Sequence, residues 1–103
     1  MIVRMWHGVV PEPKADAYLH YLEQTGIKDY RETEGNRGVQ VLRRIQDGDA
    51  HFLIVTLWDS LDSIRRFAGD EVERAVYYPK DEEFLLEFEP AVVHYEVLVN
   101  SYR

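Results

Sequence analysis

The sequence predicts an α+β fold: a ferredoxin-like βαββαβ antiparallel sheet with its helices on one face. Three observations lead there. Phe52 to Trp58 is an apolar, β-branched run of strand length, which belongs in the middle of a sheet with both faces covered. Asp47-Gly48, between that run and the apolar stretch Val39 to Ile45, is the dipeptide that accepts positive φ in a tight hairpin turn. Apolar residues at helical spacing follow the first and the third strand, which gives the order strand, helix, strand, strand, helices, strand.

The elements follow in order. Ile2 to Gly8 alternates Val3, Met5 and His7 against Ile2, Arg4 and Trp6, a strand with chemically unequal faces. Pro11, Glu12 and Pro13 break it. Ala15, Tyr18, Leu19 and Leu22 then form the stripe of an amphipathic helix that ends at Gly26. Ile27 to Arg37 is polar, a connection with room for one helical turn around Ile27 and Tyr30. After the hairpin, Asp59 and Ser60 offer oxygens to cap a helix bearing Leu61, Ile64, Phe67 and Ala68, and Gly69 ends it. Asp70 to Tyr77 carries Val72, Ala75 and Val76, a second short helical stripe stopped by Pro79. The acidic segment 80–90 is interleaved with Phe84, Leu85, Leu86 and Phe88 and reads as a docked helical turn. Ala91 to Asn100 is the last strand.

Length and charge narrow the function. A chain of 103 residues is one domain with one core. A net charge of −7 opposes binding to phosphate backbones or anionic lipid, so neither nucleic acid nor a membrane is an expected partner. With no cysteine there is no disulfide, thiol nucleophile or thiolate metal site. The sequence has no basic, apolar leader pattern and no long apolar run, and a cytoplasmic location is the expectation. Helices on one side of the sheet leave the other bare. If that face is as apolar as Val39, Val41 and Ile45, or Val93 to Val99, it calls for a cover, and a second copy of the sheet around a two-fold axis supplies one. A homodimer is expected.

The Trp58-Asp59-Ser60 junction, the helix ending Phe67-Ala68-Gly69, the segment Asp70 to Tyr77 and the closing Val93-His94-Tyr95-Glu96-Val97 together resemble the antibiotic biosynthesis monooxygenase family of dimeric α/β barrels. The resemblance spans nearly the whole chain. It implies either a cofactor-independent oxygenase acting on polycyclic phenols, a haem-degrading enzyme, or a member without activity. The haem-degrading branch carries an asparagine late in the first strand, a tryptophan in the helix after the third strand, and an iron-ligating histidine ten residues further on. The matching positions here are His7, Phe67 and Tyr77, which departs from the pattern at all three, so no haem or other cofactor is expected.

The oxygenase reading needs a base, aromatic walls and a dry pocket between sheet and helices, with an aromatic phenol or quinol and dioxygen as reactants. His7 is the candidate base, since imidazole titrates near neutrality. Tyr77 is the candidate donor to a phenolate or peroxide oxygen. Trp58, Phe67 and Tyr78 are candidate walls, and Arg4 or Arg43 a candidate anchor for an anionic group. The competing reading is a dimeric ligand-binding or regulatory module in which the same aromatics bind an apolar metabolite or fill the core. His7, His51 and His94 fall near one edge of the sheet, but coordination requires all three rings on one face, and no metal is expected.

Overall fold

The computed structural model describes residues 1–101. Strands β1 (Ile2–Pro11), β2 (Asn36–Gln46), β3 (Asp49–Trp58) and β4 (Val93–Glu96) form one antiparallel sheet in the order β2-β3-β1-β4. Helices α1 (Ala15–Gln24), α2 (Gly26–Glu32) and α3 (Leu61–Ala68) complete the expected ferredoxin-like fold. The hairpin turn lies where Asp47-Gly48 puts it, with φ of 52° and 81° at the two residues.

Alternation along the central strands decides what meets the helices. Arg4, Trp6 and Val10 of β1 and Ala50, Phe52, Ile54, Thr56 and Trp58 of β3 are buried, while Val3, Met5, His7, His51, Leu53, Val55 and Leu57 turn to the other face. Beneath the helices these residues join Tyr18, Leu22, Ile27, Tyr30 and Ile64 in one core. Gly8 has a packing reason to be glycine: a Cβ there would land on the Trp6 indole, which lies along the strand over it. The α3 N-terminus is capped as expected, Ser60 Oγ accepting from the Ser63 N–H at 3.2 Å.

Four sequence expectations are corrected. The connection after α1 is a seven-residue helix, α2, held by burial of Ile27 and Tyr30. The segment Asp70–Tyr77 is not a helix. Its backbone bonds outward, with the Ala75 N–H donating to Pro90 O, the Val92 N–H to Glu73 O, and Arg74 bridging Ala91. Pairing with residues 90–92 takes these backbone groups out of any local helical ladder. The last strand is four residues long rather than ten, although the Val97 N–H still donates to Met1 O. Finally, Val39, Val41 and Ile45 are opposite Thr56, Ile54 and Ala50 in the ladder and so point to the helix side. The open face of β2 carries Gln40, Leu42 and Arg44 instead.

The acidic segment docks as expected, through a 3-10 turn at Asp81–Glu83, burial of Leu85, and a bond from the Leu86 N–H to Val9 O. No helix among the described residues is long and apolar enough to cross a membrane.

Candidate functional site

Arg4 is the centre of the site. Its parity on β1 sends it beneath the helices, where it is 1% exposed. One guanidinium nitrogen, Nη2, donates to Arg74 O at 2.9 Å, and the guanidinium carbon stands 5.3 Å from the centre of the Phe67 ring. Nε has no partner. Burial lowers the Arg4 pKa, and the groups that oppose this are the tyrosines 30 and 78; no carboxylate is among them. Burial in turn pushes the Tyr30 hydroxyl up to about 12, with the Arg4 charge acting against it.

Two more orphan nitrogens belong to the same side of the sheet. His94 is the register partner of Arg4 across the β1–β4 ladder, and its Nε2 is buried without a hydrogen-bond partner among the described residues. Burial, and then the Arg4 charge, lower the His94 pKa and favour the neutral imidazole. Trp6, two residues along β1 from Arg4, has a buried Nε1–H that makes no hydrogen bond of ordinary geometry among the described residues, with the Tyr77 ring as its neighbour. Buried polar atoms almost always find partners, so three orphans on two adjacent strands form an unusual concentration.

Aromatic rings enclose this polar patch. Tyr30 packs on Phe67 at 4.6 Å and meets Trp58 edge-on at 6.3 Å, and Trp58 is 5.9 Å from Phe67. Trp58 is fully buried and donates from Nε1 to Thr56 Oγ1 at 2.8 Å. Tyr77 meets Trp6 edge-on at 6.3 Å and donates its hydroxyl to the Glu89 carbonyl; burial is the main cause of its raised pKa. Tyr78 donates to Asp29 Oδ2 at 2.6 Å, while its own N–H donates to Asp81 Oδ2 at 2.6 Å. Burial and the neighbouring Asp29 hold the Tyr78 phenol protonated. The first bond ties the irregular segment 70–92 to α2, and the second holds the turn at Tyr78–Asp81 within that segment.

Of the residues singled out from sequence, Arg4, Trp58, Phe67, Tyr77 and Tyr78 therefore share the helix side of the sheet. Arg43 does not join them. It is level with Phe52 and Gly8, four residues along and two strands away from Arg4, and its guanidinium pairs with Asp16 of α1 at 3.2 Å. His7 lies on the opposite, open face, where its Nδ1 engages the Glu89 carboxylate. It does not converge with Tyr77 on a helix-side chamber, because its parity on β1 is opposite to that of Arg4 and Trp6. The shared neighbourhood proposed for three histidines also divides, His7 and His51 on the open face and His94 beneath the helices. Sequence reasoning missed Tyr30, Trp6 and the helix-side role of His94. Pairing His94 with Arg4 in the strand register is the signal that finds it.

A four-stranded antiparallel sheet with helices on one face, and aromatic side chains packed around a buried arginine beneath them, defines a ferredoxin-like fold. No known family profile matches the chain, and no curated protein matches it. Among solved structures it is similar to a candidate antibiotic biosynthesis monooxygenase from Bacillus cereus, with TM-score 0.67, 16% identity, and 99% of this chain and 97% of that one covered. A second such candidate, from Nitrosomonas europaea, gives TM-score 0.65 at 16% identity over 96% and 100% of the two chains. The haem degrader MhuD from Mycobacterium tuberculosis, solved with two haems in its active site, gives TM-score 0.65 at 16% identity over 99% and 100%. Likeness at this identity is likeness of fold.

The haem contacts implied by the resemblance do not fit this chain. Tyr77, at the position the resemblance gives to the iron ligand, donates its hydroxyl to the Glu89 carbonyl, and it would have to give up that bond and its proton to hold iron. His7, at the asparagine position, faces away from the helices.

Proposed function

We propose that the chain is a cofactor-independent monooxygenase whose substrate, an electron-rich phenol or quinol, binds as an anion between sheet and helices. The observation that carries this reading is Arg4, a buried cation with no carboxylate beside it among the described residues. An unpaired charge away from water costs several kcal/mol. A phenolate oxygen contributed by a ligand offsets that cost, and the Trp6 N–H is available to the same oxygen.

The base role expected of His7 passes in this reading to His94, a neutral imidazole with a free Nε2 on the side of Arg4. His94 takes the proton from the substrate and Arg4 stabilises the anion. An anthrone-type carbanion then gives an electron to dioxygen, the two radicals join as a peroxide, and loss of water leaves a carbonyl: CH2 + O2 gives C=O + H2O. Tyr77 supports the step by redirecting its hydroxyl from the Glu89 carbonyl to the peroxide oxygen. Trp58, Phe67 and Tyr30 exclude water.

One observation favours a second reading, a ligand-binding module without catalysis. The Tyr30, Phe67 and Trp58 rings already pack on each other at 4.6–6.3 Å, so a ligand must part them. Oxygen uptake with a panel of anthrones, anthraquinols and quinols separates the two. The oxygenase consumes one dioxygen per substrate, and His94→Gln and Arg4→Met each lower the rate by about 10²-fold or more, while His7→Ala leaves it unchanged. Quenching of tryptophan fluorescence by these compounds without uptake of oxygen supports the binding module instead.

We also infer that a second copy covers the open face. Val3, Met5, Val55, Leu57 and Tyr95 line a hollow of about 680 Å³ there, and Val93 and Tyr95 are more than half exposed.

A further inference from the structure

The open face holds a second cluster, independent of the helix-side chamber and of the oxygenase reading. His7 of β1 pairs with Leu53 in the ladder and His51 of β3 pairs with Val9, so the two histidines are diagonal neighbours on adjacent strands with their rings on the same face. The ring centres are 5.5 Å apart, and His7 Nε2 stands 3.3 Å from His51 Nδ1. The Glu89 carboxylate engages the other nitrogen of His7, Nδ1.

That carboxylate fixes the tautomer. The proton of a neutral His7 belongs on Nδ1, facing Glu89, which leaves the Nε2 lone pair directed at His51. At 3.3 Å the gap is that of a long hydrogen bond between the two rings. It matches another geometry: two imidazole nitrogens held at about 2.0–2.1 Å from one tetrahedral ion are about 3.3–3.4 Å apart. A histidine ligand whose second nitrogen donates to a carboxylate is also the usual supporting arrangement of a metal site.

We propose that His7 and His51 bind a divalent transition-metal ion on the open face of the sheet, with Glu89 orienting His7 through Nδ1. Imidazole donors suit zinc, nickel and copper, and copper(II) binds most tightly of these. No third histidine, cysteine or carboxylate converges on the pair among the described residues, so the remaining positions fall to solvent or a small anion. A cleft of about 320 Å³ in front of the rings, lined also by Leu42, Arg44 and Leu53, has room for them, and the Arg44 charge favours an anion there. In the single chain the side chains of His7 and Glu89 are 38% and 42% exposed, and the pair lies beyond the hollow of Val3, Met5, Val55 and Leu57, toward the hairpin end of the strands, where an ion can reach it without displacing a second sheet.

The test is a titration of the full chain with copper(II), nickel(II) and zinc(II) against a competing chelator in a non-coordinating buffer. One ion per chain is expected, and the copper(II) spectrum should carry hyperfine structure from two imidazole nitrogens. His7→Ala and His51→Ala should each weaken binding at least 10-fold, and Glu89→Gln by about 10-fold or more through loss of the orienting carboxylate. His20→Ala, on the far side of the fold, should leave binding unchanged. Melting curves by circular dichroism establish that each variant folds; His7→Gln and His51→Gln serve if an alanine variant does not. Wild-type affinity retained in both histidine variants, or a copper(II) spectrum without two nitrogens, overturns the proposal.

Discussion

Arg4 and His94 are direct partners across the β1–β4 ladder, and each brings an unpartnered nitrogen to the buried side of the sheet. The two groups have opposite effects on what that side will bind. Arg4 demands negative charge. His94, kept neutral by burial and by Arg4, can accept a proton. In the proposed reaction a phenol between them would find both a proton acceptor and a charge that stabilises the phenolate.

If Arg4 is retained for a ligand, the empty protein should be better off without it. Replacing a buried ionic group by a well-packed apolar one of similar volume is commonly neutral or stabilising by about 1–4 kcal/mol. Arg4→Met should therefore melt at or above the wild-type temperature by calorimetry while losing phenol binding. A variant that melts far below the wild type identifies Arg4 as a structural cation, held by Arg74 O and the Phe67 ring.

The His94 shift fixes the direction of a pH dependence. Its folded pKa lies below the ordinary value of 6.5, so as pH falls through 6.5 the unfolded chain takes up a proton that the folded chain does not. The contribution to stability is fully present above that pH and declines as pH falls toward the folded pKa. Denaturant midpoints at successive pH values below about 6.5 should drop more in the wild type than in His94→Gln. Parallel profiles would show that His94 does not titrate differently on folding.

Much of this arrangement is legible in the residues, and the exceptions have physical causes. The hairpin at Asp47-Gly48 and the cap at Ser60 are local, and local chemistry suffices to place them. The packing of Trp58 near Phe67 follows from a buried strand running into a capped helix. Val39 and Val41 were harder, because an apolar residue looks the same whichever face it serves. Only the register with β3, including the irregularity between Asn36 and Gly38, sends them to the helices. Segment 70–77 has a helical stripe, but its backbone partners lie near Pro90, which no local pattern reveals. Arg4 and His7 were assigned to one pocket although alternation puts them on opposite faces.

Phe67 links the chamber to the core, and its removal should be felt in both. Its ring touches Tyr30 and Trp58 and lies under the Arg4 guanidinium, although it is only partly buried. Full truncation of a core phenylalanine costs about 3–5 kcal/mol, and Phe67→Ala should fall at the lower end of that range in chemical denaturation. The space it leaves borders Arg4, so the variant should also admit bulkier phenols than the wild type. A cost well under 1 kcal/mol would place the ring at a surface and remove it from the chamber wall.

The open face yields the last expectation. Val55 and Leu57 are on β3 and Val3 and Met5 on β1, so the hollow is centred on the two inner strands, where charge is least tolerable if another sheet packs there. Leu57→Glu changes no contact with the helices, since Leu57 has the parity of His51 and Val55. Sedimentation equilibrium should return twice the chain mass of 12.2 kDa for the wild type and the single chain mass for Leu57→Glu, with the far-ultraviolet spectrum of both unchanged. A wild type that sediments as one chain at all concentrations would mean that the apolar hollow serves some other ligand, and the two-sheet assembly would have to be abandoned.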